Sequence, residues 1–248
     1  MDYHKFIQQL PDLYKNWGQE LVCPKDNRFG QLLAQVKGMT SANVMQLLNF
    51  AVGCLETDEI YCEVGCFQGS TLISALLDHP NQMAYAVDNF SEFDPLGKNL
   101  EKLIKNLTTF NLEEQVCFSN QNFEQFFLEL RRISTSDKIG VYFYDGAHDY
   151  RSQLLGLLLV KPFLAEKAVI IVDDSNWSAV QQANWDFIAA HPQCSLLLDL
   201  PTPQNGHGTF WNGIHVLSWD VNRKSNYDWS VLKKNRQESI IEAIYKLQ

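Results

Sequence analysis

The chain has 248 residues with 46% hydrophobic content, enough to close one large core. A formal net charge of −9 and the lack of any Lys/Arg-rich run argue against nucleic acid as a partner, since phosphate binding needs clustered cations; a small neutral or cationic ligand fits better. No apolar stretch approaches the roughly 20 residues that span a bilayer, and "MDYHKFIQQLPDLY" at the start lacks the apolar core of a secretion signal, so a cytoplasmic chain without membrane contact is expected.

Helical periodicity in "HKFIQQLPDLYKNW" and "SANVMQLLNFAVGCL", with no convincing strand, makes residues 1–56 a helical lead-in that packs on a sheet or covers its ligand edge. It also offers a surface for a homodimer. From Asp58 onward short apolar runs alternate with amphipathic stretches, the pattern of a parallel sheet crossed over through helices. The strands expected are "EIYCEVG", "MAYAVD", "QVCFSN", "KIGVYFYDG" and "AVIIVDD". Between and after them, "STLISALLDH", "LGKNLEKLIKNLTTF", "FEQFFLELRRI", "YRSQLLGLLLVKPFL" and "SAVQQANWDFIAAH" read as helices. "CSLLLDL" and "GIHVLSW", separated by the turn-rich "PTPQNGHGTFWN", read as a closing hairpin, and "DWSVLKKNRQESIIEAIYKLQ" as a last amphipathic helix. The expected fold is one doubly wound α/β domain, with a core over 57–220 and a C-terminal helix within 221–248.

Each expected strand ends in polar groups: Glu63 with the loop "GCFQGST", Asp88 with Asn89, Asn120, Asp145, and Asp173 with Asp174. A single such acid is accounted for by a helix cap or a turn, but five strands in succession that end in polar groups do so where open parallel sheets bind ligands. The first loop has GxxxG after an acid in place of the GxGxxG that seats a pyrophosphate. With Glu63 projecting into the site, a diphosphate meets a negative charge, whereas an ammonium or sulfonium is favoured. Gly65 and Gly69 permit positive φ and close backbone approach. Asp88 stands where an acid takes ribose hydroxyls. The ligand expected is an adenosine derivative with positive charge and no phosphate. The six cysteines show no pair of CxxC motifs for zinc and read as reduced core thiols.

"EVGCFQGST", "AVDNF", "YDGAHDY" and "IIVDDSNW", in this order, resemble the class I S-adenosylmethionine-dependent methyltransferases, and most nearly the small-molecule O-methyltransferases of macrocin and catechol type. The resemblance spans roughly residues 58 to 220. It implies a seven-stranded, mostly parallel Rossmann-like sheet with a reversed final strand. It implies S-adenosylmethionine as cofactor, its methionine end lined by Glu63, Gly65 and Gly69 with Ser70 bonding the carboxylate, its ribose on Asp88 and its adenine near Asn120. Phe67 and Phe90 would pack on the cofactor, unless they serve local packing.

The resemblance further implies a magnesium-like divalent cation on Asp145, Asp173 and Asp174, gripping the hydroxyl of a small-molecule acceptor. Hard oxygen ligands suit such an ion, and gathered carboxylates repel one another without one. The alternative is that Asp174 caps a helix beginning near Ser175 while Asp173 faces solvent. His148, where catechol-type relatives have a lysine, keeps a proton acceptor beside Asp145 and so allows general-base catalysis; a surface hydrogen-bonding role is the alternative. Where the family has a Gly-Gly turn before the fifth strand, this chain has Glu166 and Lys167. Trp177 and Trp211 would stack on an acceptor or merely fill space. Against the O-methyltransferase reading stand a metal-independent N- or O-methyltransferase, a nicotinamide oxidoreductase, disfavoured by the missing GxGxxG, and a non-catalytic adenosyl-binding module.

Overall fold

The structure, a computed structural model, describes residues 1–224. The C-terminal helix expected within 221–248 falls almost wholly outside the described residues.

Seven strands form one sheet among the described residues: β1 Glu59–Val64, β2 Ala84–Val87, β3 Val116–Ser119, β4 Lys138–Tyr144, β5 Leu164–Val172, β6 Cys194–Leu200 and β7 Ile214–Asp220. Their order is β3-β2-β1-β4-β5-β7-β6. The first five strands run parallel, and β7 is antiparallel to both β5 and β6. The Rossmann-like sheet with a reversed last strand is therefore present. β1, β4 and β5 lie at its centre as near-continuous apolar runs, because helices cover both faces.

The helices are α1 Tyr3–Gln9, α2 Arg28–Gln35, α3 Ala42–Val52, α4 Ser70–Leu76, α5 Asn99–Thr109, α6 Phe123–Ile133, α7 Tyr150–Val160 and α8 Ser178–Ala190. One face of the sheet packs Tyr61, Val141 and Phe143 against Phe6, Phe29 and Leu48 of the lead-in and Leu72 of α4. The other packs Cys62, Val64 and Tyr142 against Phe127, Leu157 and Phe187 of α6, α7 and α8. This is the period-2 alternation of strand side chains read as two cores. The lead-in docks on the sheet as expected. α3 is tied to α4 by Asn49, whose Nδ2 donates to the carbonyls of Ser74 (2.9 Å) and Leu77 (2.7 Å).

Three local expectations are corrected. The helix expected over 4–17 stops at Gln9 and passes through a 3₁₀ turn at Leu10–Leu13, because Pro11 has no N–H to continue an α-helix. A two-residue antiparallel ladder, Tyr14–Lys15 with Cys23–Pro24, lies in the lead-in where no strand is expected. Glu166 and Lys167 lie inside β5, exposed, where a turn was expected. All six cysteines are free, with Cys23 and Cys117 exposed and the others buried. Among the described residues no helix is long and apolar enough to cross a membrane.

Chain order reverses between β1 and β4, which open a crevice at their carboxyl ends. There the amide of Gly65 donates to the Val87 carbonyl (2.9 Å) and that of Asp145 to the Val64 carbonyl (2.9 Å), so three strand ends are fixed around one opening.

Candidate functional site

That crevice is a cavity of about 360 Å³, within the range of small-molecule sites. Of the residues expected from the sequence, Gly65, Phe67, Asp88, Asp145, His148 and Asp174 line it, together with Phe90, Trp177 and Trp211. Glu63, Gly69, Ser70, Asn120 and Asp173 do not line it.

Gly65 has φ 84°, and a Cβ there would collide with the Asp145 carbonyl. The floor of the cavity is therefore bare backbone, which a ligand can approach closely. Asp88 follows β2, and its carboxylate accepts from the amides of Phe67 (2.8 Å) and Phe90 (2.7 Å). Both phenylalanines have positive φ, 48° and 51°, a strained backbone that these two bonds hold in place. Burial raises the Asp88 pKa, and the two amides oppose that shift. Each oxygen keeps a free lone pair, so the group remains able to accept from a pair of hydroxyls.

Glu63 is corrected in its placement: it is fully buried. Its Oε2 accepts from the Tyr61 hydroxyl (2.5 Å) and its Oε1 from the Thr71 hydroxyl (2.6 Å). The acid thus clamps the first turn of α4 to β1 beneath the loop, and its charge reaches the cavity only through the floor. Burial pushes its pKa up to about 7. Gly69, at φ 89°, turns the chain into α4, and Ser70 is buried where a Cβ on Gly38 would overlap its hydroxyl. Asn120 is exposed because β3 ends at Ser119 and the chain turns there; Gln121, Asn122 and Phe123 line the wall in its place.

On the opposite wall His148 Nδ1 lies 2.6 Å from Asp174 Oδ2, and Asn212 Nδ2 donates to Asp174 Oδ1 (2.6 Å). Asp174 sits at φ 60° and α8 starts only at Ser178, so Asp174 is not that helix's cap. Burial pulls the His148 pKa down, but the Asp174 hydrogen bond and charge outweigh it and the net shift is upward. The Trp177 ring packs against the imidazole, centroids 4.7 Å apart. Asp173 turns under the floor, its Oδ1 accepting from the Asp174 amide (2.8 Å). Asp145 and Asp173 have pKa values held well above the carboxylate range, first by burial and then by neighbouring acids.

These residues suit a cationic nucleoside: bare backbone, an acid for vicinal hydroxyls, and five acidic side chains on the wall against one arginine. The fit to a divalent metal is weaker. The donors have the right hard chemistry, yet both Asp174 oxygens are engaged and Asp173 faces away. Among the described residues no three His, Cys, Asp or Glu side chains are grouped to hold a metal ion.

Met39, Glu124 and Arg151 line the cavity without having been singled out in the sequence. Arg151 stands three residues past His148, a spacing that signals its nearness. Met39 reaches the site only because the lead-in docks over it, and no local pattern announces that.

The family model described as "Methyltransferase domain" matches residues 62–175. Among solved structures, the chain is similar to the O-methyltransferase from Bacillus cereus in complex with SAH (14% identity, TM-score 0.61, covering 86% of this chain and 100% of that one). It is also similar to TomG from Streptomyces achromogenes, an O-methyltransferase of tomaymycin synthesis in complex with SAM (14%, 0.56, 79% and 89%). A third is the SAH-bound methyltransferase PaMTH1 from Podospora anserina (12%, 0.51, 78% and 86%). At such identities the likeness is one of fold. No curated protein matches the chain significantly. The resemblance read from the sequence motifs thus holds: residues 62–175 match a methyltransferase domain, and the fold is the one shared by these S-adenosylmethionine- and S-adenosylhomocysteine-bound methyltransferases.

Proposed function

We propose that the chain transfers a methyl group from S-adenosylmethionine to a hydroxyl of a small acceptor, with His148 as general base. The observation that carries this reading is the His148–Asp174 pair on the cavity wall, 2.6 Å apart. Nδ1–H donates to the carboxylate, which orients the ring and leaves the Nε2 lone pair for a substrate proton. When bound, the cofactor supplies an electrophilic methyl on a sulfonium. Asp88 holds its ribose hydroxyls, and the Gly65 backbone gives room at the floor. His148 Nε2 would take the proton of the acceptor hydroxyl as its oxygen is methylated, and Asp174 would hold the imidazolium that results. Orientation in line and removal of the hydroxyl proton during attack supply the rate.

One observation favours a second reading, assistance by a divalent cation. Asp145 and Asp173 hold pKa values raised first by burial and then by neighbouring acids, Asp174 among them for both, a cost that positive charge would relieve. Asp145 and Asp174 would then be the ligands facing the cavity, and the ion would lower the acceptor hydroxyl's pKa.

The test is turnover of His148→Ala alongside its affinity for S-adenosylhomocysteine. Turnover falls by about 100-fold or more while affinity stays within about twofold; wild-type turnover would overturn the base assignment. Turnover that persists in chelator excludes the metal reading, and turnover lost in chelator and restored by magnesium establishes it. Cofactor binding with no methyl transfer to any of a broad hydroxyl panel would favour a non-catalytic module.

A further inference from the structure

Beside His148 the cavity opens to solvent through the loop after β2 and the start of α8. Two aromatic side chains stand unusually exposed there, Phe93 (59%) and Trp177 (40%), both on the cavity wall. Apolar surface of this kind at a cavity mouth marks a contact for a ligand. Glu92 immediately precedes Phe93 in the chain, exposed on the same loop and on the same wall, and its carboxylate makes no hydrogen bond or ion pair with another side chain among the described residues. Among the described residues the only arginine or lysine lining the cavity is Arg151, and its guanidinium is committed to Glu124 through bonds of 2.9 and 3.3 Å. Among the described residues, a phosphate or carboxylate entering here would meet acids and no uncommitted lysine or arginine. An ammonium would meet ring faces and an unengaged carboxylate, the combination that recognises protonated amines.

We propose that the methyl acceptor carries a protonated amine beside its hydroxyl, and that Glu92, Phe93 and Trp177 form the subsite that recognises it. The inference deepens the methyltransferase reading and rests on it. It makes Glu92 a specificity residue, and it sets the acceptor class as amine-bearing hydroxyl compounds, excluding coenzyme A thioesters, phosphorylated sugars and free acids.

Three probes share a phenol ring and a two-carbon arm and differ in charge: tyramine (ammonium), 4-ethylphenol (neutral) and 3-(4-hydroxyphenyl)propionate (carboxylate). Their affinities are read by tryptophan fluorescence and saturation-transfer NMR on the full chain, with and without S-adenosylhomocysteine. Tyramine is expected to bind about tenfold tighter than the propionate. Glu92→Gln, a surface change that leaves folding intact, is expected to bring tyramine down to the neutral probe while leaving 4-ethylphenol unmoved. Equal or tighter binding of the propionate overturns the proposal. So does a tyramine affinity that ignores Glu92→Gln, or a failure of tyramine to bind either form of the protein. Calorimetry with S-adenosylhomocysteine alone separates the two levels: no cofactor binding sinks the methyltransferase reading, whereas cofactor binding without ammonium preference sinks this inference only.

Discussion

A carboxyl group sealed under a loop gives up either its solvation or its charge, and Glu63 does the second over part of the pH range. Its pKa is raised by burial to about 7 from 4.5, with the Thr71 and Tyr61 hydroxyls pulling the other way. The native state then binds a proton between these values that the unfolded chain has released, so stability is fully present below about 4.5 and is lost as pH rises through about 7. The loss is about 3 kcal/mol at roughly 1.4 kcal/mol per unit. Denaturant melts of Glu63→Gln across pH 4–8 should show this slope flattened, since the amide keeps both hydroxyl partners and has no charge to lose; a slope equal to wild type would remove the assignment. The sequence marks Glu63 as important but misplaces it. Strand alternation puts Tyr61 and Glu63 on one face, yet only the return of Thr71 in α4 shows that this face is closed to the cavity. Asn120 fails for a smaller reason, since its strand ends one residue early at Ser119.

Three elements carry the acceptor side of the cavity: α7 after His148, α8 after Trp177, and β7 after Asn212. One buried chain of hydrogen bonds joins them below the site. Gln153 Nε2 donates to Asn184 Oδ1 (2.9 Å), and Asn184 Nδ2 donates to His215 Nδ1 (3.1 Å). All three residues are buried, so each amide or ring left without its partner costs about 1–3 kcal/mol. Asn184→Leu orphans both neighbours and should destabilise by about 2–4 kcal/mol, read as a lowered denaturant midpoint; an unchanged midpoint would mean that the chain does not hold these elements together. At this scale the sequence reads well where pattern is regular. The parallel strands and their crossover helices are legible because apolar runs of strand length alternate with helical spacing. The lead-in is less so: α2 is amphipathic but only eight residues long with a glycine inside it, and its place is set by the core it meets, through Phe29 and Leu32.

For the molecule as a whole, the net charge of −9 and the acid-lined cavity point the same way, toward ligands that bring positive charge. The reversal of strand order places Gly65, Asp88 and Asp145 around one opening although they are far apart in sequence. That convergence was legible from the strand ends alone, because a parallel sheet aligns them on one edge. What the pattern could not carry is which end residues face inward, and so Asp174 and His148 meet on the wall while Asp173 turns away. The most direct measurement is isothermal calorimetry of the full chain with S-adenosylhomocysteine, wild type beside Asp88→Ala. The expected result is one binding event per chain, weakened about tenfold to a hundredfold when the two ribose contacts are removed. No heat with that ligand, an affinity indifferent to Asp88, or tighter binding of a nicotinamide dinucleotide would contradict the account.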